Sequence, residues 1–181
     1  KYIIASKAGA PADGNIVPIF DADPNINIYL NQDALARVLF VGHSQVVASQ
    51  EEVWAAIRAD DFDPGRTVIL EAGQSLNGSP DSELALLEYG IERVTVAVQT
   101  DQPGYLVLSD AYYPGWRATV NGQPTPIERA NYAFRAVYVP AGEHTVQFLF
   151  EPRVWYAGLV ISGITVLILV TWAVWRWRKR S

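Results

Sequence analysis

The stretch Trp116-Arg-Ala-Thr-Val-Asn-Gly122, with Ala133-Phe-Arg-Ala-Val-Tyr-Val-Pro-Ala-Gly142 and Thr145-Val-Gln-Phe-Leu-Phe150 after it, decides the fold. Asn121 and Gly122 both tolerate positive φ, which a two-residue hairpin turn demands, so a hairpin is predicted there. Pro140-Ala-Gly142 is a second turn signal with strand-like runs on both sides, and it predicts His144 in a hairpin turn. Beyond it, Val146, Phe148 and Phe150 fall on one face of a strand. Upstream, Glu92–Thr100 alternates with Val94, Val96 and Val98 on one face, and Tyr105–Ser109 reads as a buried strand. Leu84–Tyr89 is assigned as a strand too. Short strands separated by turn chemistry predict an antiparallel β-sandwich-like domain over residues 83–152.

Residues 1–75 read as a small mixed α/β segment. Strand-like pieces occur at Tyr2–Ala5, Ile16–Phe20, Asn27–Leu30, Arg37–Val41, Gln45–Ala48 and Thr67–Glu71. Ser49 with Glu52 three residues on is a capping box, opening a helix that sets Val53, Trp54 and Ile57 on one face. Gly73–Ser82, rich in Gly, Ser, Asn and Pro, is the expected boundary between the two parts.

The C-terminal run Val154–Trp175 contains no charged residue. At about 1.5 Å per residue it is long enough for a hydrocarbon core of about 30 Å. Trp155 and Tyr156 mark one end, and Trp172, Trp175 and Trp177 the other, the placement of interfacial belts. A transmembrane helix over residues 154–175 is predicted. Gly158, Ser162 and Gly163 form a small-residue strip on which another membrane helix could pack. The mainly β fold with some α therefore ends in one membrane span.

Charge gives an orientation. Residues 1–153 hold ten Lys/Arg against 19 Asp/Glu, a formal −9, whereas residues 176–181 carry four Lys/Arg and no acid. Short basic flanks stay in the cytoplasm, which predicts a cytoplasmic tail and an extracytoplasmic domain. An acidic domain with no basic stripe argues against nucleic acid as a partner. With no cysteine in the chain, disulfide and thiolate chemistry are excluded. The chain opens on Lys1 without a signal-peptide pattern, so upstream transmembrane helices of a longer protein are expected to deliver the domain.

The densest chemistry lies at Ser109-Asp-Ala-Tyr-Tyr-Pro-Gly-Trp-Arg117 and Glu128-Arg-Ala-Asn-Tyr132. Aromatic faces beside Asp, Asn and Arg suit a sugar: the rings stack, and the polar groups bind hydroxyls. That makes Asp110, Tyr112, Tyr113, Trp116, Arg129 and Asn131 candidate glycan contacts. The same residues suit a sandwich corner, in which Trp116 is a plug at least half buried and Asp110, Arg129 and Arg135 pair internally. No acid/base pair or nucleophile elbow stands out, so no catalytic residue is assigned. Asp21-Ala-Asp23-Pro-Asn25 lacks the glycine and terminal glutamate of a calcium loop, and Asp60, Asp61 and Asp63 precede a Pro-Gly turn. Both read as solvated turns. His43 and His144 have no metal-ligand spacing, so neither a metal nor a cofactor is assigned.

The Ser109–Arg117 run, Asn121-Gly122, Val137-Tyr-Val-Pro-Ala-Gly-Glu-His-Thr-Val146, Glu151-Pro152 and the final span resemble the C-terminal end of YfhO-type bacterial membrane proteins. Ala36-Arg-Val-Leu-Phe-Val41, Asp60-Asp-Phe-Asp-Pro64 and Thr67-Val-Ile-Leu-Glu71 resemble the same family, with Ala36 where proline is expected. The family is similar to multispanning glycosyltransferases that use polyprenyl-phosphate-linked sugars to modify envelope polymers. The resemblance implies an accessory domain facing a glycan or lipid-linked sugar, with the catalytic carboxylates on an early extracytoplasmic loop among helices outside this sequence. The other reading is a non-catalytic scaffold that packs on membrane helices or a partner protein.

Overall fold

The computed structural model describes residues 1–9 and 15–179, which form two compact units, residues 1–37 and the remainder. The first unit is a three-stranded antiparallel sheet in the order β1 (Tyr2–Ser6), β3 (Ile26–Asn31), β2 (Ile16–Phe20). Its β2–β3 turn is held by Asp23, whose carboxylate accepts from the backbone N–H groups of Asn25 and Ile26.

The second unit contains β4 (Val38–Val41), β5 (His43–Val46), α1 (Gln50–Ala56), β6 (Thr67–Leu70), β7 (Leu76–Asn77), β8 (Ser82–Tyr89), β9 (Arg93–Thr100) and β10 (Gly104–Leu108). It continues with β11 (Trp116–Val120), β12 (Gln123–Thr125), β13 (Glu128–Ala130), β14 (Phe134–Val139), β15 (Gly142–Phe150) and α2 (Arg153–Arg178). Seven strands form one sheet in the order β4-β10-β14-β13-β6-β5-β7, and five form another in the order β12-β11-β15-β9-β8.

The principal core lies between these sheets. Val94, Val96 and Val98 of β9, Val146 and Phe148 of β15 and Ala118 of β11 meet Leu106, Leu108, Val137 and Val139 of the seven-stranded sheet. Because side chains alternate along a strand, Tyr105 and Val107 of β10 and Ala136 of β14 point the other way. There they join Val41, Val68, Leu70 and Ala130 in a second cluster. β10 therefore serves both cores, and all five of its residues are buried.

The mainly β architecture with a C-terminal apolar helix agrees with the sequence reading, and the Asn121-Gly122 hairpin forms as expected. Both residues have positive φ, 51° and 79°, and Val120 pairs with Gln123. The capping box forms as well: Ser49 Oγ accepts from Glu52 N, while the Glu52 carboxylate reaches back to Ala48 N. Of the predicted helix face, only Val53 is buried; Trp54 is exposed and packs on Tyr132 with ring centroids 5.4 Å apart.

Two details differ from the sequence reading. The Gly73–Ser82 linker does not separate two folding parts; the division falls after Arg37, since β4–β7 hydrogen-bond into one sheet with β10, β13 and β14. The Pro140-Ala-Gly142 turn is not a hairpin, because β14 and β15 belong to different sheets and the turn carries the chain across the sandwich. Within the segment read as mixed α/β, β5 and β6 pair in parallel, joined through α1. A parallel pair needs a long crossover connection, and α1 supplies it.

Helix α2 leaves the sandwich after only Glu151 and Pro152. It is the one helix among the described residues long and apolar enough to cross a membrane, over Gly158–Arg178. Its threonines do not leave hydroxyls unpaired: Thr165 donates to Ile161 O and Thr171 to Leu167 O, both at 2.9 Å. At the far end, Arg176 lies over Trp172 and Lys179 over Trp175, coupling the basic tail to the aromatic belt. The Tyr156 side chain and Arg180 lie outside the described residues.

Candidate functional site

The aromatic and charged residues singled out in the sequence gather at the end of the sandwich from which α2 departs. β11 begins there with Trp116 opposite Phe150 of β15. Gly115 precedes it at φ 106°, where a Cβ would sit 2.9 Å from the Phe150 ring, so only glycine fits this corner. Its carbonyl accepts from Glu151 N at 2.7 Å, tying the corner to the start of α2. Tyr112 N donates to Ala133 O at 2.7 Å, fixing the loop against the β13–β14 turn.

The electrostatic centre is Arg135. On β14 it shares a face with Val137 and Val139, so its guanidinium projects into the end of the sandwich interior and is 2% exposed. One Nη lies 3.2 Å from the Asp110 carboxylate, and the planar group stacks over Trp116, 3.9 Å from the ring centroid. Its Nε and other Nη are buried without a hydrogen-bond partner. Burial pushes the Arg135 pKa below its ordinary value, with the nearby Asp110 carboxylate opposing that shift. Tyr89 Oη donates to the same carboxylate. Directly opposite Arg135 in the ladder is Arg129, and two like charges in that register repel. Each has its own acid: Arg129 lies 3.5 Å from Glu71 and over the Tyr112 ring.

The six candidate glycan contacts thus separate by role. Asp110 and Arg129 are held in internal ion pairs. Asn131, at φ 47°, forms a pair of bonds with Ile69: its Oδ1 accepts from Ile69 N and its own N donates to Ile69 O, both at 2.8 Å. Tyr112, Tyr113 and the half-buried Trp116 line an open groove of about 530 Å³, together with Arg117, Pro124 and Thr125. Tyr113 is the most exposed of these aromatic residues, at 64%. A second, largely apolar cavity of about 990 Å³ runs from Tyr113 and Trp116 to Trp155, Gly158, Leu159 and Ser162 of α2. Gly163 does not line it.

Arg117 closed the Ser109–Arg117 run without being assigned a contact, and Pro124 and Thr125 escaped the sequence reading. Pro124 and Thr125 belong to β12, which the Asn121-Gly122 turn folds back beside Trp116, so the hairpin signal contained the clue. His144 is structural, with Nε2 3.2 Å from Ala141 O and Nδ1 3.0 Å from Asn121 Nδ2. Among the described residues, no three His, Cys, Asp or Glu cluster as metal ligands.

Asn131→Ala is expected to cost about 1–3 kcal/mol, because the buried Ile69 N–H loses its acceptor and the left-handed backbone loses a residue that favours it. Urea unfolding of the detergent-solubilised chain would measure it; an unchanged midpoint would refute the structural role.

The model of the family described as "Bacterial membrane protein YfhO" matches residues 73–162, from the linker through β15 into α2. The chain carries a YfhO-type region. That region contains the groove, the Asp110–Arg135 pair and the Gly158–Ser162 part of the helix. The chain is also similar to the uncharacterized protein YfhO of Bacillus subtilis (strain 168), 26% identical over 84 residues. That match covers 46% of this chain and 10% of the relative, so this sequence corresponds to a small part of that protein. No solved structure matches.

Proposed function

We propose that the sandwich is an extracytoplasmic accessory domain that positions a glycan acceptor for a larger membrane protein transferring sugars from polyprenyl-phosphate donors. In this reading α2 is a membrane span, the basic tail is cytoplasmic, and the Gly158–Ser162 strip receives a neighbouring helix of the same protein. The observation that carries the proposal is the open groove lined by Tyr112, Tyr113 and Trp116 together with Arg117 and Thr125. Aromatic faces beside polar groups accommodate both the apolar face and the hydroxyls of a sugar ring. The YfhO family is described as one of bacterial membrane proteins, which supports the membrane setting.

Calorimetric titration of the detergent-solubilised chain with oligosaccharides from bacterial envelope polymers tests this. Tyr113→Ala is expected to weaken binding about tenfold, the size of one lost stacking contact, with the fold intact. Absence of heat with every oligosaccharide, or binding indifferent to Tyr113, would refute the groove as a glycan site.

A scaffold role is the second reading, and one observation favours it. Asp110, Arg129 and Asn131 already spend their polar groups on internal partners, leaving fewer to read a ligand.

A further inference from the structure

We propose that the α2-proximal end of the sandwich docks onto the bilayer surface, with Ile91 and Tyr113 seated in the headgroup and upper acyl layer beside Trp155. The proposal rests on α2 being a membrane span and goes beyond it by assigning a lipid-contacting face to the β domain.

Strand register defines this end. Phe150 is the last residue of β15, and its N–H donates to Glu92 O at 2.8 Å, which brings the Gly90-Ile91-Glu92 turn alongside the start of α2. Trp116 flanks Phe150 on the other side, with Pro114 and Tyr113 just before it. Two loops from opposite sides of β15 therefore border the point where the helix begins.

Their exposed side chains are the wrong kind for water. Ile91 is 95% exposed at the tip of its turn, Tyr113 is 64% exposed and Trp155 is 60% exposed. A tight β-turn that only had to reverse the chain would be served by a polar residue in place of Ile91. Tyr and Trp pair an apolar ring with a polar edge, which suits them to the boundary between hydrocarbon and water. The cavity shared by Tyr113, Trp155, Leu159 and Ser162 places the Tyr113 loop level with the first turns of α2, where the apolar span begins.

The connection is too short and too well tied to let the domain swing away. Only Glu151 and Pro152 separate β15 from α2. Proline fixes one φ, Glu151 N is bonded to Gly115 O, and the Glu151 carboxylate pairs with Arg117 at 3.3 Å. A helix that crosses the bilayer must then hold this end of the sandwich at its surface. The Tyr112–Trp116 groove in consequence opens beside the headgroups rather than far out in solvent.

The chain contains no cysteine, so a polarity-sensitive dye can be attached at one chosen position. Ile91→Cys, Tyr113→Cys, Glu143→Cys and Thr165→Cys are each labelled in the full chain and reconstituted in phosphatidylcholine vesicles carrying a lipid with a nitroxide high on its acyl chain. Glu143 lies at the opposite end of β15, about 23 Å from Phe150 at the usual rise per residue. Thr165 lies within the apolar span. The expected result is blue-shifted, nitroxide-quenched emission at 91 and 113, water-like emission at 143 and lipid-like emission at 165. If 165 is in lipid while 91 and 113 behave like 143, the docking face is refuted and the membrane span stands. If 165 is itself water-like, both fall.

Discussion

Asp110→Ala should lower the unfolding free energy by about 3–5 kcal/mol, the penalty for leaving a buried cation without its counter-charge. The Arg135 side chain is 2% exposed and its ion-pair partner Asp110 only 19%. Water cannot readily replace the lost carboxylate, and the Arg135 Nε and second Nη already lie buried without hydrogen bonds. The stack on Trp116 offers a cation–π attraction of about 2 kcal/mol in such a desolvated setting, which does not replace the counter-charge of the acid. Arg135→Met should be far milder, since methionine fills the space below Trp116 without a charge to compensate. Adding Arg135→Met to Asp110→Ala should therefore restore most of the loss. Urea unfolding followed by near-ultraviolet circular dichroism reports the sandwich directly. A loss below about 1 kcal/mol for Asp110→Ala would mean that the pair behaves like a solvated surface bridge.

Phe148→Ala is the second large effect, again about 3–5 kcal/mol, from lost transfer energy and the cavity left behind. Phe148 is fully buried on β15, opposite Val94 on one side and Ala118 on the other. Its neighbours are strands on a hydrogen-bonded ladder and cannot collapse inward to fill the void. Phe150→Ala, two residues on at the partly exposed end, provides the comparison and should cost distinctly less. Equal losses at the two positions would place the weight of the core at the α2-proximal end rather than between the sheets.

Residues with a clean period-2 pattern were readable in advance. The valines of β9 and the Asn121-Gly122 turn encode their structure within a few neighbouring positions, so local inspection suffices. The assignment of strands to sheets was not readable. Pro140-Ala-Gly142 has the same turn chemistry whether the chain folds back beside itself or crosses to the facing sheet; only the packing of Val137 and Val139 against Val146 and Phe148 decides. The β5–α1–β6 unit had part of its signature, a capped helix before an apolar strand, but β5 is short and largely polar and its pairing with β6 depends on contacts remote in sequence.

The candidate groove was legible in composition and not in geometry. Tyr112, Tyr113 and Trp116 do share one opening. Arg135 was expected to pair internally with an acid, yet β14 is apolar on both faces, so alternation could not say which face points between the sheets. Asn131 was ambiguous for a related reason: an Asn in a tight turn binds backbone and ligand with the same atoms, and here Ile69 takes them.

The doubly buried strand β10 has a practical corollary for anyone dissecting this protein. The linker at residues 73–82 is polar and invites cutting, but a fragment beginning there would lack β4 and β6, exposing the underside of β10 and the edge along which β4 pairs. Such a fragment would present unpaired backbone and an apolar sheet face, the surfaces through which chains associate with one another. Trimming should instead stop at residue 38, even though the YfhO-type match itself begins 35 residues later, at residue 73. The segment recognisable by family and the segment able to stand as a solid body are different lengths of chain.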